Sequence, residues 1–147
     1  MGNYLRLHLH LIWSTKYRRP LLSHEVRARL FPYMAATITG QRGQVQAIGG
    51  WLDHVHIYTE LPSYMAIGQL INLVKSRSTR WLRTELHLPH FAWQHGYAAF
   101  SVDPRHPHAL LRYIRNQEPH HSRVAFTEEL TSIVASYGLD ARGDRGE

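Results

Sequence analysis

The sequence contains no cysteine. That excludes disulfide frameworks, thiolate zinc sites and cysteine nucleophiles together, and it fits a reducing compartment. No apolar run approaches the about eighteen residues of a membrane span, and no signal-like hydrophobic region follows Met1. The expectation is a cytoplasmic protein with no membrane partner. Acidic residues are also few, with eleven Asp and Glu against seventeen Lys and Arg. The basic excess is confined to the first third: through Arg42 seven basic residues face one acidic residue, and from Gly43 onward ten face ten. What the chain does have is 44% hydrophobic residues over 147 positions, enough for one domain with its own core. It also has twelve histidines, the commonest metal ligands and acid–base groups near neutral pH.

Periodicity gives a β-α-β-β-α-β order followed by two helices. From Tyr4 to Trp13, Leu5, Leu7, Leu9, Leu11 and Trp13 alternate with Tyr4, Arg6, His8, His10 and Ile12, the pattern of a strand with one oily face. A basic loop follows, and Ser23 then caps a helix through Val26, Leu30, Tyr33, Met34 and Ile38, with Pro32 a point where it could kink. Gln44 to Ile48 and Leu52 to Thr59 read as strands joined by a Gly49-Gly50 turn. Ile67, Leu70, Ile71, Val74, Trp81 and Leu82 hold a helical stripe that Pro89 closes. A fourth strand is expected over Tyr97 to Val102. Asp103-Pro104 should open a helix that Pro119 ends, and a last helix spans Phe126 to Ser136. The fold class is α+β: a ferredoxin-like, RRM-like antiparallel sheet with helices on one face and an additional C-terminal helix. One domain is expected over residues 1–139, with a flexible tail over 140–147.

The most specific chemistry is Asp53-His54-Val55-His56 on the third strand. Alternation puts His54 and His56 on one face with Cα atoms roughly 6.5–7 Å apart, a separation from which two imidazoles can converge on one divalent ion. The same pair also fits a solvated sheet face. His8 and His10 form a second His-x-His on the first strand; they are either outer partners of the first pair or the metal site itself, and spacing does not choose. Tyr113 and Gln117 lie four apart on one helical stripe, where Tyr113 also fits a core position beside Leu110, Leu111 and Ile114. Lys16-Tyr17-Arg18-Arg19 interleaves an aromatic with cations, a pattern suited to phosphates with bases to stack on. Arg80 and Arg83, on the far side of the second helix, are weaker candidates for the same role.

Three blocks, in order, carry a resemblance. His10-Leu11-Ile12-Trp13-Ser14-Thr15-Lys16-Tyr17-Arg18-Arg19, Leu52-Asp53-His54-Val55-His56 and Tyr113-Ile114-Arg115-Asn116-Gln117 resemble the conserved blocks of the IS200/IS605-like Y1 transposases, which belong to the HUH (His–hydrophobic–His) single-strand nucleases. Trp93 to Val102 is similar to that family's fourth-strand segment. The resemblance implies that His54, His56 and Gln117 bind Mg²⁺ or Mn²⁺, with His10 in support. It implies that Tyr113 attacks a scissile phosphate of hairpin-bearing single-stranded DNA, forming a 5′-phosphotyrosine and freeing a 3′-hydroxyl. A phenol ionises more easily than a sugar hydroxyl and can serve as nucleophile and later as leaving group. The resemblance further implies a homodimer whose active sites are shared, with histidines from one subunit and the tyrosine from the other.

Rival readings use the same residues. A HIT-type nucleotide hydrolase needs a third histidine in register, where Tyr58 stands. A non-catalytic RRM-like nucleic-acid-binding module would use the same sheet and basic patch. A domesticated HUH nuclease of repeat-associated (REP-type) elements would carry the same site residues as a mobile transposase, and the sequence does not separate the two.

Overall fold

The computed structural model describes residues 1–121 and 124–140. Beyond Asp140, the tail expected from the sequence lies outside the described residues.

Four strands, β1 (His8–Ser14), β2 (Gln44–Gly50), β3 (His54–Glu60) and β4 (Ala98–Val102), form one sheet in the order β2-β3-β1-β4. Every neighbouring pair is antiparallel. This is the expected ferredoxin-like sheet, with β1 and β3 hydrogen-bonded on both edges in the middle. Helices α1 (His24–Gly40) and α2 (Ile67–Thr84) cover one face. There Leu9, Leu11, Trp13, Val55 and Ile57 pack against Leu30, Met34 and Ile38 of α1 and Leu70, Ile71, Val74 and Leu82 of α2. Ser23 caps α1, its hydroxyl accepting from the Val26 amide at 3.3 Å, and Pro32 lies inside that helix without ending it.

Three shorter helices, α3 (His108–Arg115), α4 (Gln117–His121) and α5 (Phe126–Ser136), form a second layer over the opposite face. A smaller apolar cluster of Ile12, Phe100 and Phe126, with Leu130, Ile133 and Val134 beside it, attaches this layer. Buried Arg27 of α1 ties it from the side through an ion pair to Glu118 of α4.

Several boundaries differ from expectation for identifiable reasons. β1 starts at His8 rather than Tyr4, because His8 pairs with both Glu60 and Val102 at the ends of its two neighbours. Leu5 and Leu7, with no flanking strands to pair with, are left exposed. Gly49 and Gly50 do not form the turn: they are the last residues of β2, paired with His56 and Val55, and the turn is Trp51 to Asp53. Their missing side chains serve packing instead. A Cβ on Gly49 would stand 2.3 Å from the Ile114 carbonyl oxygen, so α3 rests directly on strand backbone. The helix expected from Asp103-Pro104 begins at His108, capped by Pro107, and breaks at Asn116. Pro119 lies within α4 rather than after it. Helix α2 stops at Thr84, ahead of Pro89.

Candidate active site and metal centre

Alternation along the two inner strands builds the site. Val55 and Ile57 point into the core, so His54 and His56 face the second helical layer, where both are fully buried. On β1, His10 lies opposite Tyr58 and diagonally from His56, and its Nε2 stands 2.8 Å from His56 Nδ1. His10 is thus an outer partner that orients His56. His8 contacts the Tyr58 hydroxyl at 3.1 Å and stays apart from the cluster.

The close rest of α3 on Gly49 carries Tyr113 over the same face. Its ring centroid lies 5.5 Å from that of His56 and 6.4 Å from that of His10. The break at Asn116 turns the chain so that Gln117, now the first residue of α4, reaches His54 Nε2 with its Oε1 at 3.1 Å. His54, His56, Tyr113 and Gln117, the four residues expected to act here, are therefore together, and all belong to one chain.

Two residues without a sequence signal strong enough to name them complete the cluster. Glu129, from the first turn of α5, is buried and places Oε1 2.6 Å from His56 Nε2 and 3.9 Å from His54 Nε2. Its Oε2 contacts His121 Nε2, and also His120 Nε2 at 3.0 Å. The ligand atoms of His54, His56, His121 and Glu129 all lie within 4.8 Å of one another. This group could bind a metal ion.

Electrostatics agree with a site built around positive charge. Burial, then the neighbouring His56, lowers the His10 pKa to about 3. Burial also dominates at His56, lowering it to about 4 against the opposing pull of Glu129. Burial alone would raise Glu129, but its contacts with His56, Tyr113 and His121 hold it down at about 2. Burial, then the Glu129 carboxylate, pushes Tyr113 above the ordinary tyrosine value. The Glu129 carboxylate therefore sits against the buried His56 imidazole, whose charged form burial disfavours. His56 Nε2, His121 Nε2, both Glu129 oxygens and the Tyr113 hydroxyl are buried polar atoms with no aligned hydrogen-bond partner. Buried polar atoms are rarely left so, and several converging on one point fit a cation that they would share.

Lys16, Arg18 and Arg19 occupy a single 3-10 turn after β1 (Lys16–Arg18, then Arg19) and are exposed. Tyr17, with φ of 57°, is held outward at 77% exposure, with the Lys16 and Arg19 cations 5.4 and 5.5 Å from its ring. Arg18 bonds Thr127 at the start of α5, and the Lys16 amide donates to the Ala92 carbonyl at 2.9 Å. Ala92 belongs to the wall of a groove that also holds Arg80, Arg83 and Tyr97. Lys75, in the same groove, has no distinguishing mark in the sequence because it lies among the apolar positions of α2. It donates to the Gln94 and Gly96 carbonyls, and burial lowers its pKa to about 8.

A histidine pair on an inner strand of a ferredoxin-like sheet, faced by a tyrosine from a helix laid on that sheet, defines an HUH-type transposase framework. More particularly, the chain belongs to the IS200-like transposase family, whose model matches residues 3–117. A candidate transposase from Deinococcus radiodurans R1 is similar in structure, with a TM-score of 0.63 and 27% identity over 80% of this chain and 95% of that one. A REP-associated tyrosine transposase, solved bound to a REP hairpin, has a TM-score of 0.60 over 84% of this chain and 76% of that one; at 15% identity the likeness concerns the fold. No curated protein matches the sequence. Among the described residues no helix is long and apolar enough to cross a membrane.

Proposed function

We propose that this protein cleaves and rejoins single-stranded DNA next to hairpins through a covalent bond to Tyr113, with His54, His56 and Gln117 holding a Mg²⁺ or Mn²⁺ ion. The observation that carries this reading is the meeting of Tyr113 with His56, and of Gln117 with His54, on one buried face of a family member's sheet. In the cleavage step the Tyr113 oxygen attacks the scissile phosphorus and the bond to the 3′ oxygen breaks. The phenolic proton ends on that 3′ oxygen, leaving a 5′-phosphotyrosine and a free 3′-hydroxyl. The reverse attack rejoins a strand, and because the phosphodiester is conserved no nucleotide cofactor is consumed. A bound ion supplies positive charge at the phosphoryl oxygens.

The protein's own groups prepare this step. Asp53, accepting from His54 at 2.8 Å, and His10, against His56, fix the two rings. Burial and Glu129 keep Tyr113 as the phenol in the resting site. Lys16, Arg18 and Arg19 around exposed Tyr17 suit a single strand, with phosphates on the cations and a base on the ring. Arg80, Arg83 and Lys75 extend that positive path along the groove. The hairpin seen on the REP-associated relative supports a folded DNA end as the substrate class. With histidines and tyrosine in one chain, a homodimer would carry two complete sites.

The test is incubation of the protein with end-labelled hairpin-bearing single strands and Mn²⁺, followed by a denaturing gel. The wild type should give a protease-sensitive protein–DNA adduct. Tyr113→Phe should remain folded and give none; adducts from that variant would assign the nucleophile to another tyrosine.

A further inference from the structure

We infer that His121 and Glu129, carried by α4 and α5, are ligands of the same ion as His54 and His56, and that this nitrogen-rich set selects Mn²⁺ or Zn²⁺ over Mg²⁺. The inference deepens the metal site proposed above and rests on that reading for the ion's place, but not on the DNA chemistry.

Asp53 Oδ1 lies 2.8 Å from His54 Nδ1, and the Val124 carbonyl oxygen lies 2.7 Å from His121 Nδ1. Both oxygens accept, so in each neutral ring Nδ1 carries the hydrogen and Nε2 carries the lone pair. A ring nitrogen held by an oxygen acceptor while the other faces inward is the usual setting of a metal-bound histidine. The two Nε2 lone pairs face oxygen lone pairs. His54 Nε2 meets Gln117 Oε1 at 3.1 Å, and His121 Nε2 meets Glu129 Oε2. Acceptor against acceptor at such range is repulsive unless a proton or a metal ion lies between them, and burial disfavours the protonated ring at His121. Adjacent ligands of an ion bound at about 2.1–2.2 Å stand about 3 Å apart, and opposite ligands about 4.3 Å apart. The ligand atoms lie within 4.8 Å of one another; around an ion the widest pairs would contract by up to about half an ångström, while His56–Glu129, at 2.6 Å, and His121–Glu129 would open.

Burial supports the same assignment. Glu129 is 4% exposed and the His121 side chain 1%, and neither Glu129 oxygen has an aligned hydrogen-bond partner. The Glu129 oxygens meet the imidazole nitrogens of His56, His120 and His121, and a divalent ion would offset the cost of burying the carboxylate more fully than those rings do. Donor type then decides selectivity. Three imidazoles, beside one carboxylate and the Gln117 amide oxygen, favour borderline transition ions, while Mg²⁺ prefers oxygen ligands and retains its waters.

The full chain, stripped with a chelator and dialysed, is titrated calorimetrically with MnCl₂, ZnCl₂ and MgCl₂, without DNA. Binding of Mn²⁺ and Zn²⁺ at one ion per chain is expected, with Mg²⁺ weaker by about 100-fold or more. Glu129→Gln and His121→Ala should each weaken Mn²⁺ binding by at least about tenfold. In the wild type, Zn²⁺ should shift the His121 Nε2 resonance in long-range ¹⁵N spectra, a readout that does not depend on any variant folding. Mn²⁺ affinity within threefold of wild type in a folded Glu129→Gln protein, an unmoved His121 Nε2 signal, or equal Mg²⁺ affinity overturns the inference. No readout here depends on DNA, so failure to form DNA adducts and failure of this ion set are read separately.

Discussion

Substituting Gly49 by alanine adds one methyl group at the point where the helix carrying Tyr113 rests on the sheet. The new Cβ would stand 2.3 Å from the Ile114 carbonyl oxygen, 2.8 Å from Ile114 Cγ2 and 3.2 Å from the Ile114 carbonyl carbon. Two of these neighbours are backbone, so no side-chain rotation relieves the clash. Ordinary contact begins near 3.4 Å, and α3 must therefore lift by about 1 Å. Overpacking of this kind costs about 1–3 kcal/mol, a fall of about 4–8 °C in Tm for a 2 kcal/mol loss in a chain of this size. Tyr113 precedes Ile114 and moves with it. A misplacement of about 1 Å can cost about 100-fold in rate, so the fall in adduct formation should far exceed what the small loss of folded protein explains. Gly40→Ala is the control: it lies in the last turn of α1 with nothing within 4 Å of the added carbon, and should be neutral or stabilise by up to about 1 kcal/mol. The assay pairs thermal melts with single-turnover adduct kinetics below the melting range. A Gly49→Ala protein with wild-type Tm and rate would refute the claim that this packing sets the position of Tyr113.

With both residues placed on one chain, mixing Tyr113→Phe with His54→Ala protein is expected to restore no adduct formation; recovery after subunit exchange would support the shared sites that the family resemblance implies. Metal-free protein should lose stability as pH falls from about 6.5 toward 4. Protons favour the unfolded chain, where His10 and His56 titrate normally, over the folded one, where burial depresses them to about 3 and about 4. Melts of metal-free His10→Gln across that window should show a shallower decline, and an unchanged slope would remove His10 from the explanation. Replacing Lys16, Arg18 and Arg19 by glutamine should weaken single-strand binding and flatten its dependence on salt, by about 0.7 in log–log slope for each phosphate no longer neutralised. An unchanged slope by fluorescence anisotropy would place the DNA elsewhere.

The histidine pair is legible because a strand has a period of two, and a period can be read without knowing what lies opposite. Tyr113 and Gln117 are legible as a four-residue spacing, and the spacing survives although the helix itself breaks at Asn116. Glu129 and His121 are not legible. They lie on two different short helices, and nothing local marks an acid in a helix's first turn as pointing inward rather than toward the dipole. The histidine excess and the adjacent His120-His121 are the available hints, and they carry no partner. The Gly49-Gly50 reading goes wrong in a general way. Two glycines signal either a turn or a close approach, and only the element packed above decides between them.

The strict alternation along β3 has a consequence for how such a protein can change. Val55 and Ile57 answer only to the helices below, and His54 and His56 answer only to the layer above. A substitution on either side leaves the other side's neighbours untouched. The sheet is in this sense a wall with separate tenants: the donor set can be rewritten while the lower core keeps its packing, and the lower core can drift while the donors stay in register. The exception is a change in length. Inserting or deleting one residue within the strand would exchange the two sides, turning valine toward the ion and histidine toward the leucines. A change of residue type on the upper face should therefore cost the lower core little, while the strand tolerates no change in count.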